Sequence, residues 1–339
     1  MTYLYNAYGV TLASDTPIPG LQQTDHDLGR PLLVLSFGPE PDWVREAKRL
    51  PCRLHHPKAA ALDQSDSAGS RLTSFGAEQF FQLNYSDGTQ FVLDATAQRL
   101  WGTCVPPLTI DDIATYLSGP VMGFILRRRG LMSLHASALC IDGLAVVLCG
   151  ESQSGKSTSA ASLALRGVPV LCEDVTPLLE EAGNFQVEPG YPRICLWPDA
   201  VESLLGTRNA LPQLTPTWEK CFLPLDRDGA RFEQQKRPLG VIYLLAQRSQ
   251  EGKAPWIEEI SPREALLELV QNTYMRRLLD RAQRAAEFDV LSRVVMQVPV
   301  RRIVPHVDFV RVGVLCDLIV ADTERVFGDL RSTVARSNN

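Results

Sequence analysis

The sequence predicts an α/β protein in which a smaller β-rich region precedes a larger domain of mixed strands and helices. Two observations lead to this prediction. Residues 1 to about 105 contain short apolar runs bounded by turn residues, which is typical of strands. From residue 131 onwards, strand-like apolar runs alternate with helical patterns, and the first alternation encloses a glycine-rich segment.

The composition is that of a soluble globular protein, with 45% hydrophobic and 22% charged residues. A formal net charge of −5 argues against a nucleic-acid surface, which normally carries a basic excess. The 8 cysteines include no C-x-x-C pair, which favours reduced thiols over a disulfide frame or zinc site. The N-terminus lacks a secretory signal and no long apolar segment is present, so we expect a cytoplasmic protein without a membrane partner.

In the N-terminal region, the runs at 32–37 and 80–85 predict strands, and Asp87-Gly88 predicts a hairpin turn. The adjacent His55 and His56 would point to opposite sides of an extended chain, which favours a surface loop over a metal site. No catalytic constellation is evident in residues 1 to 105, and substrate or partner binding is a role that this region could have.

Residues 106 to 130 predict a connecting helix between the two regions. Asp111 and Asp112 stand at its start and three arginines at its end, as the helix dipole prefers. Pro120 should kink this helix or divide it into two.

The segment LAVVLCGESQSGKST, at 144–158, combines an apolar strand with G-x-x-x-x-G-K-S and the start of a helix. Gly150 and Gly155 allow a tight turn whose N–H groups can surround a polyphosphate. Lys156 would bridge the β- and γ-phosphates, and the Ser157 hydroxyl would bind Mg²⁺. The residues that we expect to contact the nucleotide are Gly150, Glu151, Ser152, Gln153, Ser154, Gly155, Lys156, Ser157 and Thr158.

The strands flanking this loop carry the other candidate residues. Residues 131–149 predict a hairpin around Asp142-Gly143, which would bring His135 towards the nucleotide; a satisfied histidine within the sheet is the alternative. The strand at 169–175 ends in Glu173-Asp174, a pair that could supply a metal ligand and a general base or form a solvated turn.

The stiff connection at 189–199 could position Arg193 on a phosphate or an acidic substrate group, although a surface arginine is equally compatible. The segment around Lys220 and the strand at 239–245 are expected to continue the sheet. Helices are predicted over 263–286 and 289–297, followed by a strand at 298–304. A closing helix at 310–327 completes a domain spanning 131–330, and residues 331–339 predict a frayed polar tail.

The order His135, G-E-S-Q-S-G-K-S, Arg166-Gly167 and L-C-E-D resembles the catalytic core of HPr kinase/phosphorylase and its relatives, over residues 131 to 180. The resemblance implies a phosphoenolpyruvate carboxykinase-like core with a mixed sheet. It also implies that Asp174 binds metal together with Ser157, that Glu173 takes the place of the base-like aspartate, and that His135 lies near the base. Residues 1 to 105 do not resemble that family's N-terminal domain, and the chain looks like divergent members such as the lasso-peptide precursor kinases.

These features predict a kinase that uses ATP and Mg²⁺ and transfers the γ-phosphate to a hydroxyl, most readily a serine or threonine of a peptide or protein. Glu173, His135 and Lys156 are the predicted catalytic residues. A non-catalytic ATP-binding module and a small-molecule kinase on the same core are the alternatives. The sequence leaves the acceptor and the oligomeric state open, and a homo-oligomer is compatible with it.

Overall fold

The computed structural model describes residues 1–25, 29–30, 32–55, 70–226, 229–276 and 281–337. It is a mixed α/β structure with two large sheets and a two-stranded sheet. Within the described ranges, no helix combines the length and apolar character needed to cross a membrane.

Of the two adjacent histidines, His56 lies outside the described residues, whereas His55 Nε2 lies 2.9 Å from Ser74 Oγ.

The first sheet contains eight strands in the order β1-β2-β3-β8-β7-β6-β5-β4. Its strands are β1 Tyr3–Ala7, β2 Val10–Ser14, β3 Leu32–Phe37, β4 Cys52–Leu54, β5 Arg71–Phe75, β6 Phe80–Asn84, β7 Gln90–Asp94 and β8 Arg99–Thr103. The predicted hairpin at Asp87-Gly88 is confirmed, since β6 and β7 pair antiparallel. A short helix, α1 (Asp42–Arg49), buries Val44 and Ala47.

The predicted connecting helix is present as α2 (Ile110–Tyr116), a π-helical turn (Leu117–Val121) and α3 (Met122–Arg128). A capping box between Thr109 and Asp112 starts it. Pro120 lies inside the π-helical turn, because proline cannot donate an N–H and the chain widens around it. The apolar side chains of this helix pack in the same buried cluster as the apolar side chains of the first sheet.

The second sheet contains β9 Met132–Ile141, β10 Leu144–Gly150, β11 Val170–Cys172, β12 Val175–Glu181, β13 Asn184–Val187, β16 Arg237–Leu245, β17 Trp256–Glu259 and β18 Val300–Val304. The predicted β9–β10 hairpin is confirmed. β9 pairs with β12 through its first half and with β10 through its second, and β16 pairs with β13 and then with β10. β10, β16 and β18 run parallel, so their carboxyl ends meet at one edge.

The helices of this region are α4 Lys156–Leu165, α5 Pro198–Leu205, α6 Pro262–Gln271, α7 Arg281–Gln297 and α8 Val312–Ser337. Three predictions differ from the structure. The segment after Lys220 forms β15 (Cys221–Pro224), which pairs with β14 (Arg193–Leu196) in the two-stranded sheet instead of extending the large one. The first long helix ends at Gln271, because Asn272 and Tyr274 instead make backbone hydrogen bonds with β9.

The third difference concerns the C-terminus. α8 continues to Ser337, so the polar segment from 331 is helical as far as the structure describes it, and residues 338–339 lie outside the described residues. Polar residues are compatible with a helix whose apolar face is buried elsewhere along its length, as it is here around Ile319 and Phe327.

A buried ion pair ties the connecting helix to the second region. Arg127 and Glu287 form it with side-chain exposures of only 10% and 5%, and Arg127 Nη2 also donates to the backbone oxygen of Tyr274. We expect Glu287→Ala to lower the free energy of unfolding by about 3–5 kcal/mol, because it leaves a buried guanidinium without its carboxylate. Denaturant titration measures this change.

Glu180→Ala is the matched control, since the Glu180–Arg293 pair is more accessible, with side-chain exposures of 31% and 39%. Its removal should cost less than about 1 kcal/mol. Equal losses for the two variants would contradict the importance of the Arg127–Glu287 pair.

Candidate active site

The glycine-rich loop lies between β10 and α4, as the motif predicts. A Cβ atom on Gly150 would lie 2.7 Å from the backbone oxygen of Leu245, so only glycine fits beside β16 there. Gly155 has φ of +107°, a conformation that L side chains rarely adopt, and it directly precedes α4. The first N–H groups of α4 therefore point out of the helix start, where they have no partner within the helix.

Lys156 is folded onto the loop itself. Its Nζ donates to the backbone oxygens of Gly150 at 2.8 Å and of Glu151 at 2.9 Å, and the residue is only 6% exposed. The amine thus lies inside the loop, where it would meet a phosphate entering the same space.

The acidic pair occupies the bend between β11 and β12, next to the loop. Ser157 Oγ donates to Glu173 Oε1 at 2.7 Å. Burial, and to a smaller extent the charge of Asp174, raise the pKa of Glu173 to about 7, although the hydrogen bond from Ser157 and the charge of Lys220 act in the opposite direction. A carboxyl group that titrates near neutrality can accept a proton at physiological pH.

Asp174 has different neighbours from Glu173. His135 Nε2 lies 3.4 Å from Asp174 Oδ1, and the Tyr274 hydroxyl donates to Asp174 Oδ2 at 3.2 Å. Asp174 has φ of +69°, in the left-handed region that L side chains rarely adopt. The structure therefore brings His135 to Asp174, and Ser157 to Glu173.

The predicted magnesium ligands can be compared with these contacts. Among the described residues, no group of three or more His, Cys, Asp or Glu side chains could hold a metal ion. Mg²⁺ needs fewer protein ligands when phosphate oxygens and waters complete its sphere. The oxygens of Ser157 and Glu173 are 2.7 Å apart, close to the roughly 2.9 Å between adjacent ligands of an octahedral Mg²⁺. A hydroxyl and a carboxylate of this kind suit the ion.

Arg193 is not the surface arginine that the sequence left as one alternative. It is only 8% exposed, its guanidinium lies 4.6 Å from the centre of the Tyr191 ring, and it donates to Ser118 Oγ at 3.1 Å. These contacts hold Arg193, the first residue of β14, between Tyr191 and the connecting helix.

Sequence reasoning missed two residues at this site. Tyr274 approaches Asp174 from the segment that was predicted as helix, and Gly119 approaches it from the π-helical turn, where a Cβ would lie 3.0 Å from Asp174 Oδ2. Pro120 was the sequence signal for Gly119. A proline inside a helix can widen it into a π-helical turn, and such turns occur frequently at functional sites.

We expect Gly119→Ala to lower the turnover of any reaction at Asp174 by about tenfold, because the added methyl displaces the carboxylate by a few tenths of an ångström. Steady-state kinetics of the variant measures this loss. Gly328→Ala is the control, since Gly328 is also a helical glycine but a methyl group there would have no neighbour within 4 Å. Unchanged turnover in Gly119→Ala would contradict the placement of Asp174 at the reacting centre.

No family model and no curated protein matches the chain. Among solved structures, the Hpr(Ser) kinase/phosphatase from Coxiella burnetii is similar at 14% sequence identity and a TM-score of 0.32, over 59% of this chain and 96% of that chain. A TM-score this low does not support a function.

Proposed function

We propose that this protein is an ATP-dependent phosphotransferase that moves the γ-phosphate to a hydroxyl, most readily that of a serine or threonine in a peptide or protein. The observation that carries the proposal is the contact between Ser157 of the glycine-rich loop and Glu173 of the acidic pair. A loop that only binds a nucleotide has no need of a carboxylate with a raised pKa at its phosphate end.

The residues around the glycine-rich loop would bind the phosphates and the metal ion. The loop N–H groups and Lys156 hold the phosphates and oppose the negative charge that spreads over the transferred group. Ser157 and Asp174 would hold Mg²⁺, and Glu173, which accepts the hydrogen bond of Ser157, would remain available for proton transfer. When bound, Mg²⁺ would neutralise charge on the β- and γ-phosphate oxygens.

Glu173 is the proposed general base. It would accept the proton of the acceptor hydroxyl as that oxygen forms its bond to the γ-phosphorus, while the bond to the β-γ bridging oxygen breaks and ADP leaves. His135 and Tyr274 would orient Asp174, since both contact its carboxylate.

We also propose that residues 1–105 and the connecting helix contribute to acceptor binding. Asp174 lies against Gly119 in the π-helical turn, which packs with the first sheet, so an acceptor approaching Asp174 would pass this region. On this proposal, residues 131–330 form the catalytic domain.

The direct test is incubation of the protein with Mg²⁺ and γ-labelled ATP, together with a set of serine- and threonine-containing peptides and small hydroxyl compounds. We expect labelled phosphopeptide, and none when Mg²⁺ is chelated. Labelled small molecules alone would favour the small-molecule kinase, and nucleotide binding without any labelled product would favour the binding module.

A further inference from the structure

Lys220 is a cation near the acidic pair that has no part in the mechanism proposed above. It directly precedes β15, which pairs with β14. Burial raises the pKa of Glu173, and the charge of Lys220 is one of the influences that lower it. Burial also raises the pKa of the Cys195 thiol in β14, where the charge of Glu173 adds to the shift and that of Lys220 opposes it. The ammonium group of Lys220 therefore lies within electrostatic reach of the proposed base.

The Lys220 amine has an aromatic neighbour and no counter-charge. Its Nζ lies 5.0 Å from the centre of the Trp197 ring. The nearby carboxylates of α5, Asp199 and Glu202, both pair with Arg208. In the part of the chain that the structure describes, the amine makes no ion pair and no hydrogen bond. A half-buried ammonium in these surroundings suits an anionic ligand.

The backbone that carries Lys220 is anchored to the connecting helix. Thr217 Oγ1 donates to Asp112 Oδ1 at 2.5 Å. The Trp218 ring meets the Tyr116 ring edge-on, with 5.4 Å between the ring centres. These contacts fix the position of Lys220 beside the helix to which we assign acceptor binding, and they do not use its side chain.

Trp197 adds an open surface next to this cation. The residue is 51% exposed, between the end of β14 and the start of α5. Its ring can cover the methylene groups of a bound side chain while the Lys220 ammonium pairs with a carboxylate at the end of that side chain. The triphosphate has a separate cation, because Lys156 already lies inside the glycine-rich loop.

We propose that Lys220 and Trp197 select a hydroxyl acceptor that carries a carboxylate close to the hydroxyl, such as a serine or threonine flanked by Asp or Glu in an acidic peptide. This inference rests on the proposed function, because it takes Glu173 as the residue that receives the acceptor hydroxyl. It narrows the acceptor from any hydroxyl to an acidic one, and Lys220 is the specificity-determining residue.

The test compares two pools of serine-centred peptides with randomised outer positions. One pool has Asp or Glu on both sides of the serine, and the other has Asn or Gln there. Transfer from γ-labelled Mg-ATP gives kcat/KM for each pool. We expect the wild-type protein to prefer the acidic pool by about tenfold or more, the contribution of a hydrogen bond to a charged group. Lys220→Met should lose this preference, and Lys220→Arg should retain it.

Lys253→Met is the matched control, because Lys253 Nζ also lies over a tryptophan ring, 4.4 Å from the centre of Trp256, but pairs with Glu251 on the surface. It should keep the wild-type preference. The ratio between the pools cancels any change in the pKa of Glu173, since both pools use the same base. Thermal melting checks that the variants are folded.

Equal transfer to the two pools by the wild-type protein would overturn the proposal. An equal loss for both pools in Lys220→Met would also overturn it, because Lys220 would then act on the transferred phosphate or on Glu173. The proposed function fails in a different way: the wild-type protein would label neither pool, and the inference on Lys220 would fall with it.

Discussion

Lys156→Ala is expected to reduce phosphate transfer from ATP by at least about 10²- to 10³-fold, the loss typical of removing one preorganised charge-stabilising donor. In the structure the Lys156 amine donates hydrogen bonds to the backbone oxygens of Gly150 and Glu151, inside the loop. A bound triphosphate would compete for this amine with two neutral acceptors, and a charged phosphate is the stronger partner. Radiometric transfer assays at saturating ATP measure the loss.

Lys236→Ala is the matched control, because Lys236 is 40% exposed at its side chain and pairs with Glu181 on the surface. Thermal melting should find both variants folded, since the loop carbonyls in Lys156→Ala can turn to water. Undiminished transfer by Lys156→Ala would refute the assignment of the loop.

Glu173→Gln is expected to lower kcat by about 10²- to 10⁴-fold, the usual contribution of a general base. The substitution keeps the shape of the side chain and removes its ability to take a proton. In the wild-type protein, kcat/KM should fall about tenfold per pH unit below a pKa of about 7, because Glu173 is then protonated. The variant should lack this limb of the pH profile.

Glu173→Gln, which should lower kcat, should raise the free energy of unfolding at high pH. The pKa of Glu173 is raised in the folded state. At pH values between the ordinary pKa of a glutamate and about 7, the folded protein therefore binds more protons than the unfolded chain. The free energy of unfolding falls as the pH rises through this range. Glu173→Gln should therefore be more stable than wild type at pH 8 and differ little at pH 4. Denaturant titrations at the two pH values measure this.

Glu181→Gln, on the exposed end of β12, is the control for both effects. If Glu173 acts as a metal ligand instead of a base, the variant would keep the pH limb and require a higher Mg²⁺ concentration. That outcome would transfer the base role to Asp174.

Local sequence signals were sufficient for the elements that position the loop. The apolar run before Gly150, the glycines and the following helical pattern predicted the strand, loop and helix, and Asp142-Gly143 predicted the hairpin that carries His135. These features depend on residues close together in the chain, where turn chemistry and periodicity are informative.

The rest of the site depends on pairings between distant segments. Tyr274 reaches Asp174 because the chain after α6 leaves the helix and hydrogen bonds to β9, although its residues would also suit a helix. Arg248, which follows β16, lies beside Gly155 because β16 runs parallel to β10. Neither sheet order nor the double pairing of β9 can be deduced from apolar patterns, which identify a buried strand without naming its neighbours.

The central claim is that Lys156, Ser157 and the acidic pair converge on one magnesium-bound triphosphate. A crystal structure with Mg²⁺ and a non-hydrolysable ATP analogue tests it most directly. We predict that Lys156 Nζ leaves the oxygens of Gly150 and Glu151 for the β- and γ-phosphates, and that Ser157 Oγ and a carboxylate oxygen of the pair lie about 2.1 Å from one Mg²⁺. A triphosphate bound away from this loop, or a loop that keeps Lys156 on its own backbone with the analogue present, would contradict the claim.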